Sequence, residues 1–204
     1  MKYVILLLAF GMLSCNNKKD AEENVDVVAD SIPTADVSDK MLIVPGQKIG
    51  NIFIGQSADQ LESILGKADL SDAAMGKAWL TWFSKVATGI TGNELNVHTA
   101  YRDDDPNSME KVVHQIRITS DEFKTAKGIS TGKTLEEVKQ QYPYIELSGK
   151  YDHETPNPVS VYDDAESGIA FEMENDICTG IIIHAKDKKV GEEYISFHPD
   201  MTPM

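Results

Sequence analysis

Ile52-Phe53-Ile54-Gly55-Gln56-Ser57-Ala58-Asp59-Gln60-Leu61-Glu62-Ser63-Ile64-Leu65-Gly66 reads as a turn, a hydroxyl cap and a short amphipathic helix. Ser57 followed three residues later by Gln60 fits a capping box, in which the hydroxyl and the later side chain satisfy free N–H groups at the helix start. Ala58, Leu61, Ile64 and Leu65 fall on one face of that helix, and Gly66 stops it. The pattern returns without a gap 77 residues later, in Ile129-Ser130-Thr131-Gly132-Lys133-Thr134-Leu135-Glu136-Glu137-Val138-Lys139-Gln140-Gln141-Tyr142-Pro143. There Thr134 and Glu137 supply the box, Leu135, Val138 and Tyr142 the apolar face, and Pro143 the stop. Helices of about nine residues are unstable alone, so each must lie on a sheet.

Strands are legible downstream of each helix. Residues 77–83, 94–101 and 111–118 follow the first, and 159–162, 168–173 and 177–184 follow the second, all rich in β-branched and aromatic residues. Acidic turns such as Asp103-Asp104-Asp105-Pro106-Asn107 and Asp163-Asp164-Ala165-Glu166-Ser167-Gly168 suit antiparallel hairpins. Ile43-Val44-Pro45 and Tyr194-Ile195-Ser196-Phe197 read as edge strands or packing tails. The expected fold class is therefore α+β: two tandem helix-plus-three-strand antiparallel repeats, 41–122 and 123–204, forming one compact unit.

The chain ahead of residue 41 reads as something other than a domain. Met1 to Ser14 has a positive start, an apolar run from Tyr3 to Leu13 and a small residue before Cys15. That is the grammar of a secretory signal, and its apolar run is far shorter than the ~20 residues of a membrane span. A cysteine directly after the small residue resembles a bacterial lipoprotein signal. The resemblance implies cleavage at Ser14–Cys15 and a lipid, such as palmitate, on Cys15. Residues 15–40 are polar and acidic without apolar periodicity, which predicts a lipidated, disordered tether with a span of about 25–30 Å. Lys18-Lys19-Asp20-Ala21-Glu22-Glu23 resembles the export signal of Bacteroidetes surface lipoproteins, and Asp30-Ser31-Ile32 the O-glycosylation pattern of that phylum, which would place a glycan on Ser31. Asn16, where an aspartate would signal inner-membrane retention, favours the outer membrane, with the domain on its periplasmic or cell-surface face.

A second resemblance lies in the folded part. Ile54-Gly55-Gln56-Ser57, Leu61 and Leu65-Gly66-Lys67, with a second copy at Thr131-Gly132-Lys133-Thr134 and Val138, resemble the SmpA/OmlA (BamE-like) outer-membrane lipoproteins. The tandem copy at this spacing is also similar to β-lactamase-inhibitor proteins. These resemblances imply a non-catalytic interaction module of the cell envelope.

Composition narrows the partners. With 19 basic and 33 acidic residues the net charge is −14, and loss of Lys2 with the signal makes it more negative. Such a chain repels nucleic acid and anionic head groups. Cys178 is the only cysteine besides Cys15. In a strand-like run it reads as a buried structural thiol, and His184, six residues on, would be about 20 Å away along a strand.

The remaining motifs carry little chemistry. Gly128 to Thr134 has three residues between its glycines where a phosphate loop needs four, so it reads as a turn with a helix cap. His153-Glu154 begins like a zinc-protease helix, but the second histidine is missing and Pro156 forbids the helix. His98, His114 and His184 have no metal-ligand spacing, and the Asp103 loop lacks that of a calcium loop. No metal, cofactor or catalytic set is expected.

Trp79 and Trp82 fall on opposite faces of one strand, so one is core and the other a candidate binding platform. Tyr142 and Tyr162, with Tyr144 and Tyr151, would line a groove between the repeats. The expectation is an outer-membrane-anchored lipoprotein that binds an envelope partner, in an oligomeric state left open. The alternative is a surface enzyme or solute-binding lipoprotein acting on a glycan, peptide or small ligand.

Overall fold

The structure is a computed structural model that describes residues 38–85, 91–105, 107–152, 157–191 and 201–204. The signal, Cys15, Ser31, His153 and the segment Tyr194 to Phe197 lie outside the described residues. Strands hold 48% of the described residues and helices 12%.

The chain opens with β1 (Leu42–Val44), β2 (Lys48–Ile49) and β3 (Ile52–Phe53). A 3-10 turn at Ala58–Gln60 leads into α1 (Leu61–Leu65), followed by β4 (Leu70–Ala74), β5 (Lys77–Lys85), β6 (Thr91–Tyr101) and β7 (Lys111–Ile118). β8 (Lys124–Thr125) and α2 (Leu135–Gln141) precede β9 (Glu146–Tyr151), β10 (Val159–Asp164), β11 (Ile169–Glu174), β12 (Ile177–His184) and β13 (Thr202–Pro203).

These strands form one nine-stranded antiparallel sheet, in the order β13-β9-β10-β11-β12-β7-β6-β5-β4. A smaller sheet runs β3-β2-β1-β8, with β1 parallel to β8 and not at an edge.

This corrects the expected fold class. The molecule is mostly β, and the expected tandem helix-plus-three-strand repeats are replaced by a single large sheet. Two physical causes account for it. The helices have five and seven residues, too short to form a layer of their own. In addition, β7 pairs directly with β12 along Ile118↔Ile181 to Gln115↔His184, which fuses the strands on either side. Of the large sheet, four strands follow α1 (β4 to β7) and five follow α2 (β9 to β13), where three each were expected.

The helix starts differ as well. At α2 the Thr134 hydroxyl accepts from Glu137 N–H and the Glu137 carboxylate accepts from Thr134 N–H, a complete capping box. At α1 Ser57 makes no such bond; its backbone bridges Val112 instead. α1 fully buries only Leu61, and Gly66 ends it at φ +77°.

Period-two alternation divides the large sheet into two faces. The core face carries Val97, Ile116, Ile118, Phe171, Ile181 and Ile183, packed against Leu61, Val138 and the small sheet's Ile43, Ile49 and Ile52. Each such side chain, fully buried, contributes ~1.5–3 kcal/mol. The other face carries Val161, Ala170 and Ile182, covered by Val190, but also an unusual set of buried polar groups. No described helix is long and apolar enough to cross a membrane.

Candidate functional site

The polar face is ordered by strand register. One row runs Leu70, Thr81, Asn96, Arg117 and Ile182 across β4, β5, β6, β7 and β12. A neighbouring row runs Asp72, Trp79, His98, Gln115 and His184. Buried polar side chains need partners, and in the first row they supply them to one another.

Arg117 is the centre of the first row. Its Nε donates to both oxygens of Glu172 at 2.9 Å, and its Nη1 to Glu94 Oε2 at 2.9 Å and Asn96 Oδ1 at 2.8 Å. Asn96 Nδ2 in turn donates to Thr81 Oγ1 at 2.9 Å. Burial alone would lower the Arg117 pKa, but the charge and hydrogen bonds of Glu172 outweigh it and hold the guanidinium above its ordinary value. Burial, with the Glu172 charge, pushes the Tyr151 phenol up. This chain of bonds runs from the sheet interior at Glu172 to the buried Thr81 and the partly exposed Glu94.

There it meets a shallow groove of about 360 Å³ lined by Leu70, Asp72, Trp79, Thr81, Phe83 and Glu94. The groove borders β4, the outermost strand, whose five residues are all exposed. β4 and β5 are joined by Met75-Gly76 with φ of 49° and 82°, the positive values that a two-residue hairpin turn requires. Met75 is itself 84% exposed. The groove therefore has a hydrogen-bonded polar floor, an apolar wall at Trp79 and Phe83, and an open backbone edge. An exposed edge strand of this kind presents unpaired backbone groups to which an extended chain can pair.

At the far end of the polar face, Asp163 Oδ1 lies 2.9 Å from His184 Nε2, while Asp163 Oδ2 accepts from Val190 N–H. Gln115 Nε2 donates to the Val190 carbonyl at 2.9 Å. These groups tie the segment after β12 onto the sheet. Beside them lies a groove of about 480 Å³ whose lining includes Tyr144, Leu147, Asp164 and Met204.

The four aromatic candidates are not brought together. Trp79 lies on the polar face in the groove described above. Trp82 points to the core face, packs against the main core and donates from Nε1 to the Gly66 carbonyl at 3.1 Å. Tyr142 is buried beside Phe171, with ring centroids 5.1 Å apart, and burial raises its phenol pKa. Tyr162 packs at the edge of the same core under Lys139.

His98 and His114 rings lie 6.1 Å apart. Among the described residues no group of three or more His, Cys, Asp or Glu side chains could hold a metal ion. Asp103 pairs with Lys188, and Asp104 with Arg102. Sequence reasoning missed β4, Arg117 and Glu172. The visible trace was charged residues inside strand patterns, which mark a sheet face with its own polar network.

No protein-family model matches the chain, and no curated protein matches it. Among solved structures it is distantly similar to a DUF4309 family protein, YjgB, from Bacillus subtilis subsp. subtilis str. 168. The two share 12% identity over 69% of this chain and 88% of that one, with a TM-score of 0.40.

Proposed function

We propose that this protein is a lipid-anchored, non-catalytic binding module of the bacterial cell envelope, held at the outer membrane through Cys15. The anchor reading rests on the sequence: a short apolar signal, a small residue and Cys15, followed by a polar tether. The resemblance to SmpA/OmlA (BamE-like) lipoproteins supports an envelope role for the domain. The observation that carries the binding role is the open, fully exposed edge of β4 beside the Trp79 groove. Natural sheets usually shorten, cover or heavily charge such an edge, and β4 carries a single charge, Asp72. An edge left available for five residues is a template for strand addition.

Two experiments test this reading. Cys15→Ser should move the protein from the membrane pellet to the soluble fraction; retention in the pellet defeats the anchor. In-cell crosslinking from a photoreactive residue at Met75 should give a reproducible adduct with an envelope protein. Adducts absent from Met75 but present from an unrelated exposed position such as Met109 would refute docking at β4.

A further inference from the structure

We infer that the occupant of the β4 edge is an extended, cationic peptide segment, added as a tenth strand with a basic side chain against Asp72. The inference rests on the binding reading above and specifies its partner.

The backbone comes first. The two-residue turn makes Ala74 and Lys77 a hydrogen-bonded pair, so Asp72 with Trp79 and Leu70 with Thr81 are hydrogen-bonded pairs too. Alternation then turns the N–H and C=O groups of Ser71 and Ala73 outward, away from β5. β4 ends the sheet, so no described strand takes these groups. An incoming strand would bond to those two residues.

Side chains set what that strand carries. Leu70, Asp72 and Ala74 share the polar face, and Ser71 and Ala73 share the core face beside Leu80 and Ala78. Ser71 and Ala73 are small, so an added strand has room for large apolar residues there. On the polar face its neighbours are Asp72 and the groove wall of Trp79 and Phe83. Among the described residues Asp72 makes no ion pair, and it is the only charged residue of β4. The chain as a whole carries −14. Opposite charges directly across strands attract and like charges repel, and the overall field favours a cationic arrival.

The same residue argues against a second copy of this chain. Antiparallel pairing that uses all five residues of β4 sets Asp72 against its own copy, the unfavourable like-charge arrangement. The partner is therefore apolar on one face and basic on the other.

The test uses the lipidated full chain in detergent micelles and two probes. One is an eight-residue blocked peptide alternating valine and lysine; the other replaces each lysine with glutamate. Hydrogen exchange followed by mass spectrometry reads protection of residues 70–74, and anisotropy reads affinity. The lysine peptide should bind more tightly than the glutamate peptide and protect that segment. Ala73→Pro removes an outward N–H while sparing the bonds to β5, a substitution that edge strands accept; it should abolish the protection. Asp72→Lys should cut the lysine preference about threefold to tenfold. Equal binding of both peptides overturns the cationic class. Protection elsewhere, or binding unchanged by Ala73→Pro, overturns the edge site, as does failure of the lysine peptide to bind. A dimer in sedimentation that Ala73→Pro disperses overturns it in favour of self-pairing. If these fail while Met75 crosslinking still captures an envelope protein, the binding reading stands and only the partner chemistry is wrong.

Discussion

Arg117 sets its Nε 2.9 Å from both carboxylate oxygens of Glu172, and its Nη2 2.8 Å from one of them, in a sheet where Glu172 is 0% exposed. A carboxylate buried this deeply is tolerable only because the guanidinium neutralises it through several hydrogen bonds. The pair also links β7 to β11, two strands with β12 between them.

Removing Arg117 alone should therefore cost far more than removing both. Arg117→Met alone removes the cation beside the buried Glu172 and should lose ~3–5 kcal/mol in urea unfolding, whereas Glu172→Leu leaves Arg117 its pairing with Glu94 and should lose less. The double variant should recover most of the Arg117→Met loss. Additive losses would mean that the two side chains stabilise the fold independently.

Gly180 pairs with Glu172 across β11 and β12, and a Cβ placed there would press into the Glu172 carboxylate. Glu172 cannot swing aside without breaking its bonds to Arg117. Gly180→Ala should destabilise by ~1–3 kcal/mol, and by less when Glu172 is already leucine. A neutral Gly180→Ala in the wild-type background would show the carboxylate to be mobile.

Glu137 is held down to about 2 from an ordinary 4.5 by Lys133, whose Nζ lies 2.8 Å away, and by the Thr134 N–H and hydroxyl. A depressed carboxylate contributes stability that is present above its unfolded value and lost as pH falls through its folded one. The stability difference between wild type and Glu137→Gln should thus be full above pH 4.5 and vanish toward pH 2. A carboxyl titration by NMR that places Glu137 at its ordinary value would remove the basis for this.

Cys178 is 1% exposed, and burial, with the Glu172 charge, pushes its thiol up to about 12. The thiolate is the reactive form. In the Cys15→Ser chain, where it is the sole thiol, Cys178 should resist iodoacetamide at pH 8 until denaturant is added. Rapid labelling of the native protein would place this thiol at the surface.

Local chemistry was readable where neighbours in sequence are also neighbours in space. The Thr134 and Glu137 box closes within one helical turn, and β5, β7, β10, β11 and β12 lie where alternation of β-branched residues put them. β4 and β9 were not readable. Leu70-Ser71-Asp72-Ala73-Ala74 has few strand formers and exposes every residue, and Glu146 to Tyr151 carries Gly149 mid-strand. Both are held by pairing with a neighbour and not by their own propensity. Likewise Ser57 resembled Thr134 as a cap, yet its backbone is drawn to Val112 by a contact 55 residues away.

The sequence alone determined the signal-like start with Cys15, the acidic charge, the second helix and most of the strands, because each depends on composition or on spacing within a few residues. Tertiary structure decided that the strands fuse through β7 and β12, that Trp82 and not Trp79 faces the main core, and that Arg117 meets Glu172. A two-residue period says that a strand has two faces. It does not say which distant strand lies beside it, and that choice depends on burying both faces of the whole sheet at once.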